Sequence, residues 1–81
     1  MFDPTHYPVL VYWSAEDQAY LVEVPDLPGC LADGPTQAAA IANSRVVIQQ
    51  WLELAQELGR TVPAPSDRLQ LLASVKPYMS K

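Results

Sequence analysis

The sequence predicts an α+β domain with the element order β-β-β-α-β, in which one long helix covers one face of an antiparallel sheet. Two patterns predict this class. Short segments rich in β-branched and aromatic residues alternate with turn residues over the first 35 positions, and a long stretch of helical periodicity follows. Because 81 residues leave room for one hydrophobic core, we treat 1–81 as a single domain, with a core over about 7–73 and a tail over 74–81.

The first two predicted strands form a hairpin. Residues Pro8–Trp13 are rich in β-branched and aromatic side chains, and Ala19–Val24 alternates between two faces. The five residues between them, 14–18, are polar and suit an antiparallel connection. Pro25–Gly29 contains two prolines and a glycine and therefore predicts a turn, after which a short third strand spans about Cys30–Asp33.

The longest predicted element is a helix over Thr36–Leu58. The Thr36 hydroxyl suits the N-cap position, and Gly59 stands where a left-handed C-cap residue belongs. Apolar residues at i, i+3/i+4 and i+7 spacing make one stripe, which we expect to face the sheet. The stripe consists of Ala40, Ile41, Ser44, Val47, Ile48, Trp51, Leu52 and Ala55.

The last part of the chain is less clearly patterned. Pro63 and Pro65 predict an extended connection over 61–66. The segment Arg68–Ala73 is compatible with a last strand or with a helical turn, and the alternation of leucine and glutamine within it favours the strand.

A single helix leaves the second face of the predicted sheet uncovered, and that face is apolar. The first strand is apolar on both faces, with Val9, Val11 and Trp13 on one and Leu10 and Tyr12 on the other. In the second strand, Leu21 is apolar on the face that it shares with Glu23. Uncovered apolar surface of this kind usually marks an interaction site. We therefore expect this face, or an adjoining strand edge, to be buried by another chain.

Composition narrows the classes of function. Nine acidic and five basic side chains give a net charge of −4, which argues against nucleic-acid binding, since that task needs clustered lysine and arginine. Cys30 and His6 are the only residues of their types, so we expect no internal disulfide, no metal and no cofactor. No apolar run approaches the length of a membrane span and no signal peptide is apparent, so a cytoplasmic location is expected.

Carboxylates around the turn allow one enzymatic alternative. If Glu23, Asp26 and Asp33 converged, they would hold Mg²⁺ for phosphoryl chemistry, and the chain would be a small metal-dependent nuclease. Each of these acids also fits an ordinary solvated charge at a strand end. No groove of basic residues accompanies them, so the non-enzymatic interpretation is preferred.

Four other residues have a chemical and a structural interpretation. His6 fits an exposed residue near a terminus better than a general base, and Cys30 fits a small buried hydrophobe better than a nucleophile. Asn43 lies beside the apolar stripe and is expected to bond a backbone group. Trp13 ends an amphipathic strand and is a candidate contact residue, because tryptophan is enriched at interfaces.

The segment Tyr20–Cys30, YLVEVPDLPGC, resembles the signature of HicB-type antitoxins, in which a strand containing tyrosine runs into V-P-D-L-P-G-C. The resemblance covers about Tyr7–Ala73. The further matching pieces follow in the family's order: Gly34 with Thr36 for G-x-T, Ala40–Asn43 for A-L-x-N, Ile48 with Trp51 and Leu52 for the apolar helix end, and Gly59 with Val62–Pro65 for G-x-x-I-P-x-P.

The chain departs from the family pattern in three respects. Ala19 stands where the family usually has glycine before the tyrosine. Acids common in the first helical turns are replaced, which makes the helix surface less acidic. Many HicB proteins continue into a DNA-binding domain, whereas only eight residues follow Ala73 here, so we expect no such domain and no direct nucleic-acid binding. The replacing residues in the helix are Ala38, Ala39, Arg45 and Val46.

The resemblance implies a degenerate ribonuclease H-like fold and self-association into dimers or tetramers. It implies a bacterial antitoxin without catalytic activity, which binds and neutralises a small basic HicA-type toxin that cleaves mRNA. An orphan oligomeric HicB-like domain with another protein partner is the alternative.

The candidate partner-binding residues cluster around the hairpin and the turn, and three further residues are expected to shape the turn itself. The contacts are Trp13, Glu16, Asp17, Glu23, Asp26, Leu27 and Asp33, and the scaffold residues are Pro25, Pro28 and Gly29.

Overall fold

The computed structural model describes residues 2–66. Within them, three antiparallel strands precede one long helix, which confirms the predicted α+β class and element order as far as the described residues extend. The predicted last element over 68–73 lies outside the described residues. The elements are a 3-10 turn at Pro4–His6, β1 at Leu10–Ser14, β2 at Ala19–Glu23, β3 at Leu31–Gly34 and α1 at Gln37–Glu57.

Strand β2 is the centre of the described sheet, because it pairs with β1 on one side and with β3 on the other. Val22 lies opposite Val11 of β1 and Ala32 of β3. Cross-strand partners share a face, so these three side chains point towards α1, and Val22 is completely buried. The residues directly before and after these three in their strands therefore point to the sheet face turned away from α1.

The connection from β2 to β3 consists of two successive turns. The Leu27 N–H donates to the Val24 carbonyl at 3.1 Å, and the Cys30 N–H donates to the Leu27 carbonyl at 3.0 Å. The Val24 N–H in turn donates to the Cys30 carbonyl at 3.2 Å and closes the base of the loop. The prolines at 25 and 28 suit these positions because neither needs to donate a backbone N–H there.

Both predicted caps of α1 are confirmed. The Thr36 hydroxyl oxygen accepts from the Ala39 N–H at 3.0 Å. At the other end, Gly59 has φ +71°, and its N–H donates to the Gln56 carbonyl at 3.2 Å. The N–H of Arg60 donates to the Ala55 carbonyl at 2.8 Å, which completes a Schellman motif. The helix therefore ends where its backbone turns left-handed.

The core forms between the apolar stripe of α1 and the helix-facing side of the sheet. Every buried residue of α1 belongs to the predicted stripe. The buried Ser44 hydroxyl donates to the Ile41 carbonyl at 2.6 Å, so its polar group is satisfied. Trp51 is half-buried against the core and donates its indole N–H to the Pro28 carbonyl at 3.0 Å. The main core cluster is Tyr7, Val24, Leu27, Cys30, Ile48 and Leu52.

Candidate interaction surface

The sheet face turned away from α1 is exposed and largely apolar in the described part of the chain. We call it the open face. Leu10 is 55% exposed, Leu31 is 60% exposed and Tyr12 is 38% exposed, whereas Leu21 in the central strand is half-buried. The prediction that the face without a helix carries large apolar side chains is thus confirmed. The open face consists of Leu10, Tyr12, Leu21, Glu23, Leu31 and Asp33.

Strand register arranges these residues in two rows. Glu23 lies opposite Leu10 on one side and Leu31 on the other. In the next row, Leu21 lies between Tyr12 and Asp33. Each row thus combines apolar side chains with one carboxylate.

A hydrogen bond joins the two rows. The Tyr12 hydroxyl donates to Glu23 Oε2 at 2.7 Å. This bond raises the pKa of Tyr12, and desolvation together with the charges of Glu23 and Asp17 raises it further. Tyr12 therefore orients the Glu23 carboxylate on the open face, and an ionised carboxylate has further lone pairs that accept donors.

A shallow groove of about 420 Å³ runs over the open face. Of the described residues, those that line it include three carboxylates and no basic side chain. Three of the predicted contact residues thus come together at the groove, namely Asp17, Glu23 and Asp33. An acidic and apolar groove suits a partner with a basic surface, because complementary charge speeds encounter and favours the correct partner.

Two other predicted contact residues lie near the hairpin but away from the groove. Glu16 is exposed in the turn between β1 and β2. Two hydrogen bonds stabilise this turn: the Ser14 hydroxyl donates to Asp17 Oδ2 at 3.1 Å, and the Asp17 N–H donates to Ser14 Oγ at 3.2 Å. Trp13 is half-exposed on the helix-facing side of the sheet. Its ring packs edge-on against Tyr20 with centroids 5.1 Å apart.

Asp26 and Leu27 have structural positions, and we remove both from the contact set. Leu27 is completely buried in the core, because the double turn directs its side chain inwards. Asp26 is half-buried and accepts two hydrogen bonds from Ser66, from the hydroxyl at 2.6 Å and from the backbone N–H at 2.7 Å. Its carboxylate therefore holds the segment that follows α1.

The carboxylates of the nuclease alternative are not assembled into a metal site. Among residues 2–66, no group of three or more His, Cys, Asp or Glu side chains is placed to hold a metal ion. Glu23 and Asp33 face the groove, whereas Asp26 is bonded to Ser66. The geometry therefore gives the nuclease alternative no support.

The structural interpretations of three further residues are confirmed. The His6 side chain is exposed, and its Nε2 lies 3.7 Å from Asp3 Oδ2. Cys30 is buried, and burial raises the pKa of its thiol, which makes it a poor nucleophile. Asn43 donates its side-chain N–H to the Asp33 carbonyl at 2.8 Å, so it bonds a backbone group as predicted.

The contact set predicted from the sequence omits Leu10, Tyr12 and Leu31, which form most of the exposed apolar area of the open face. Alternation along β1 places the first two on one face, and their pairing with Glu23 and Leu21 identifies it as the open face. Leu31 belongs to a strand too short to show alternation clearly. Its position follows only from the pairing with Glu23.

Within residues 2–66, the fold defines a class of small α+β domains in which one long helix covers one face of a three-stranded antiparallel sheet. The chain matches, over residues 7–79, the family described as HicB-like antitoxin of bacterial toxin-antitoxin system, and it belongs to that family. It is similar to a UPF0150 protein of Synechocystis sp., with 36% identity over 59 residues, 73% of this chain and 80% of the relative. A UPF0150 protein of Thermoplasma acidophilum is 35% identical over 48 residues, 59% of this chain and 70% of the relative.

Helix α1 is the long helix of the described part of the chain, and its sequence mixes charged and polar residues with the apolar stripe. Across residues 2–66, the structure has no helix long and apolar enough to cross a membrane.

Proposed function

We propose that this chain is an antitoxin that binds and neutralises a small basic HicA-type toxin, itself an mRNA-cleaving protein. The observation that carries the proposal is the match to the HicB-like antitoxin family over residues 7–79. The acidic groove supports it, because a ribonuclease that binds the phosphates of mRNA needs basic residues at its own site. An acidic partner that covers those residues excludes the RNA.

In this proposal the chain acts by occupying a surface and catalyses nothing. Its net charge of −4 favours encounter with a basic toxin, and the carboxylates of the groove fix the orientation of the complex. Five of the predicted contacts remain in the proposed set, and their exposed or groove-lining positions support them. They are Trp13, Glu16, Asp17, Glu23 and Asp33.

Residues 1–81 form one HicB-like domain that works in the cytoplasm, associates into dimers or tetramers and does not bind nucleic acid directly. Exposed apolar side chains on α1, at Val46 and Leu54, support self-association through the helix surface. This arrangement would leave the open face available to the toxin.

Co-expression tests the proposed function. A small basic HicA-type toxin is expressed from an inducible promoter, with and without this chain. We expect growth arrest and mRNA cleavage in the first case, and normal growth with a co-purifying complex of fixed stoichiometry in the second. Arrest that this chain does not relieve, or failure of the two proteins to co-purify, would contradict the proposal. A stable complex with a partner that leaves mRNA intact would instead favour a HicB-like domain with another role.

A further inference from the structure

Glu23 is the one acid of the open face that has an exposed leucine on both sides. Its direct cross-strand partners are Leu10, which is 55% exposed, and Leu31, which is 60% exposed. Directly opposed residues of a sheet have side chains in contact distance of one another. The row Leu10–Glu23–Leu31 therefore presents a carboxylate with apolar surface on each side.

The chemistry of this row fits a cationic side chain. Lysine and arginine combine a charged head with a long aliphatic stem that packs on apolar surface. The Tyr12 hydroxyl already donates to Glu23 Oε2 at 2.7 Å and limits the positions that the carboxylate adopts. Its remaining lone pairs can accept the head group, while the leucines contact the stem.

Charge on the open face argues against a second copy of this chain as its occupant. The groove is lined by Asp17, Glu23 and Asp33. Within residues 2–66, the arginines are Arg45 on α1 and Arg60 just beyond it. Two open faces packed together would bring carboxylates close to carboxylates, and like charges at an interface are unfavourable.

We infer that the open face is the surface that binds a basic protein, with a lysine or arginine of that protein received by Glu23 between Leu10 and Leu31. This inference rests on the proposed function in identifying the basic protein with the toxin. It adds Leu10, Tyr12 and Leu31 to the contact surface. It also assigns self-association to another part of the molecule.

Site-specific photo-cross-linking in the source cell tests the location of the surface. A photoreactive phenylalanine derivative replaces Leu10 in the full chain, and in the matched control it replaces Leu54 of α1, which is also 55% exposed. We expect the Leu10 variant to cross-link to a small protein whose sequence is basic. The Leu54 variant is expected not to cross-link to that protein.

Other products distinguish the inference from the proposed function. A cross-linked pair of this chain through position 10 would overturn the inference, and so would a basic protein captured only through position 54. In the second case the proposed function would still stand if that protein cleaves mRNA. A basic protein captured through position 10 that leaves mRNA intact would support the surface and overturn the proposed function.

Charge substitutions test the role of Glu23 with the purified basic protein. We expect E23K to raise the Kd at least about tenfold, because it places a cation against a cation inside the interface. E57K makes the same charge change on the exposed end of α1 and is expected to leave the Kd within about twofold. Equal effects of the two substitutions would show that only net charge matters and would overturn the role of Glu23.

The neutral substitution E23Q completes the series. Glutamine keeps an acceptor for the Tyr12 hydroxyl but removes the charge. We expect a Kd between those of the original chain and E23K, with an unchanged circular dichroism spectrum. A Kd equal to that of the original chain would exclude the ion pair.

Discussion

Both oxygens of the Asp26 carboxylate accept hydrogen bonds from Ser66, which lies 40 residues further along the chain. The hydroxyl donates at 2.6 Å and the backbone N–H at 2.7 Å. A third hydrogen bond, from the Tyr7 hydroxyl to the Pro63 carbonyl at 2.7 Å, supports the same segment. The residues after α1 are thus attached both to the β2–β3 turn and to the start of the chain.

We predict that D26A lowers the free energy of unfolding by about 1–3 kcal/mol, because hydrogen bonds to a charged acceptor are lost. S66A removes the hydroxyl bond alone and should cost less. The double variant D26A/S66A should be less destabilised than the sum of the single variants, since both changes remove one shared interaction. Urea denaturation measures all three. Strictly additive effects would contradict the bond, and a large loss of affinity for the partner would return Asp26 to the contact set.

Gly34 of β3 packs directly against the backbone of the first turn of α1. A Cβ atom built there would lie 2.5 Å from the Ala40 nitrogen and 2.9 Å from its Cα, and both are backbone atoms that a rotamer change cannot move. We predict that G34A destabilises the chain by about 2–3 kcal/mol, through displacement of the first turn of α1. Thermal and urea denaturation measure the loss.

G59A is the matched control for G34A. A Cβ at Gly59 meets nothing within 4 Å, but the residue has φ +71°, so alanine there pays only a backbone penalty of about 1–2 kcal/mol. G34A should therefore be the more damaging of the two. The reverse order would show that the contact between β3 and α1 relaxes easily.

Local features of the fold could be predicted from the sequence, because neighbouring residues determine them. The caps at Thr36 and Gly59, the apolar stripe and the two sheet faces all follow from spacing along the chain. The place of Asp26 in the turn predicts a surface contact, and no local pattern reveals its bond to Ser66, which lies 40 residues away. Leu27 lies within a turn, where periodicity gives no direction for a side chain. The acidic groove required the register of three strands, which alternation alone does not provide.

Asn43 covers part of the β3 edge of the sheet that residues 2–66 form. The bond from the Val24 N–H to the Cys30 carbonyl shows which residues of β3 face β2, and by alternation the backbone groups of Asp33 point to the outer edge. The Asn43 side chain donates to that outward carbonyl at 2.8 Å. Exposed strand edges are templates for association, so this bond both stabilises β3 and covers part of its edge.

We predict that N43S lowers the free energy of unfolding by about 1 kcal/mol, because the outward carbonyl loses its donor while helix propensity stays similar. Q50S on the exposed side of α1 is the control and should cost less than half as much. Urea denaturation gives the difference, and light scattering should show more association for N43S at high concentration. Equal losses in the two variants would mean that the bond contributes nothing.

Two tyrosines, Tyr7 in the core and Tyr12 on the open face, predict a loss of stability in alkali. Burial raises the pKa of Tyr7 above its ordinary 10.0, with a further contribution from the Asp26 charge. For Tyr12, the bond to Glu23 is the main cause of a raised pKa, again from an ordinary 10.0. Both side chains thus keep their protons more firmly in the folded chain than in the unfolded chain.

A raised pKa in the folded state means that the unfolded chain releases these protons first as the pH rises. The free energy of unfolding should therefore be unaffected by these groups below about pH 10, and should fall as the pH rises through the folded pKa values. Urea denaturation from about pH 8.5 to about pH 11 measures the decline, and tyrosinate absorbance follows the ionisation. Y7F and Y12F should each flatten the decline, and the double variant should flatten it most. An unchanged slope in all three variants would show that neither hydroxyl is linked to folding.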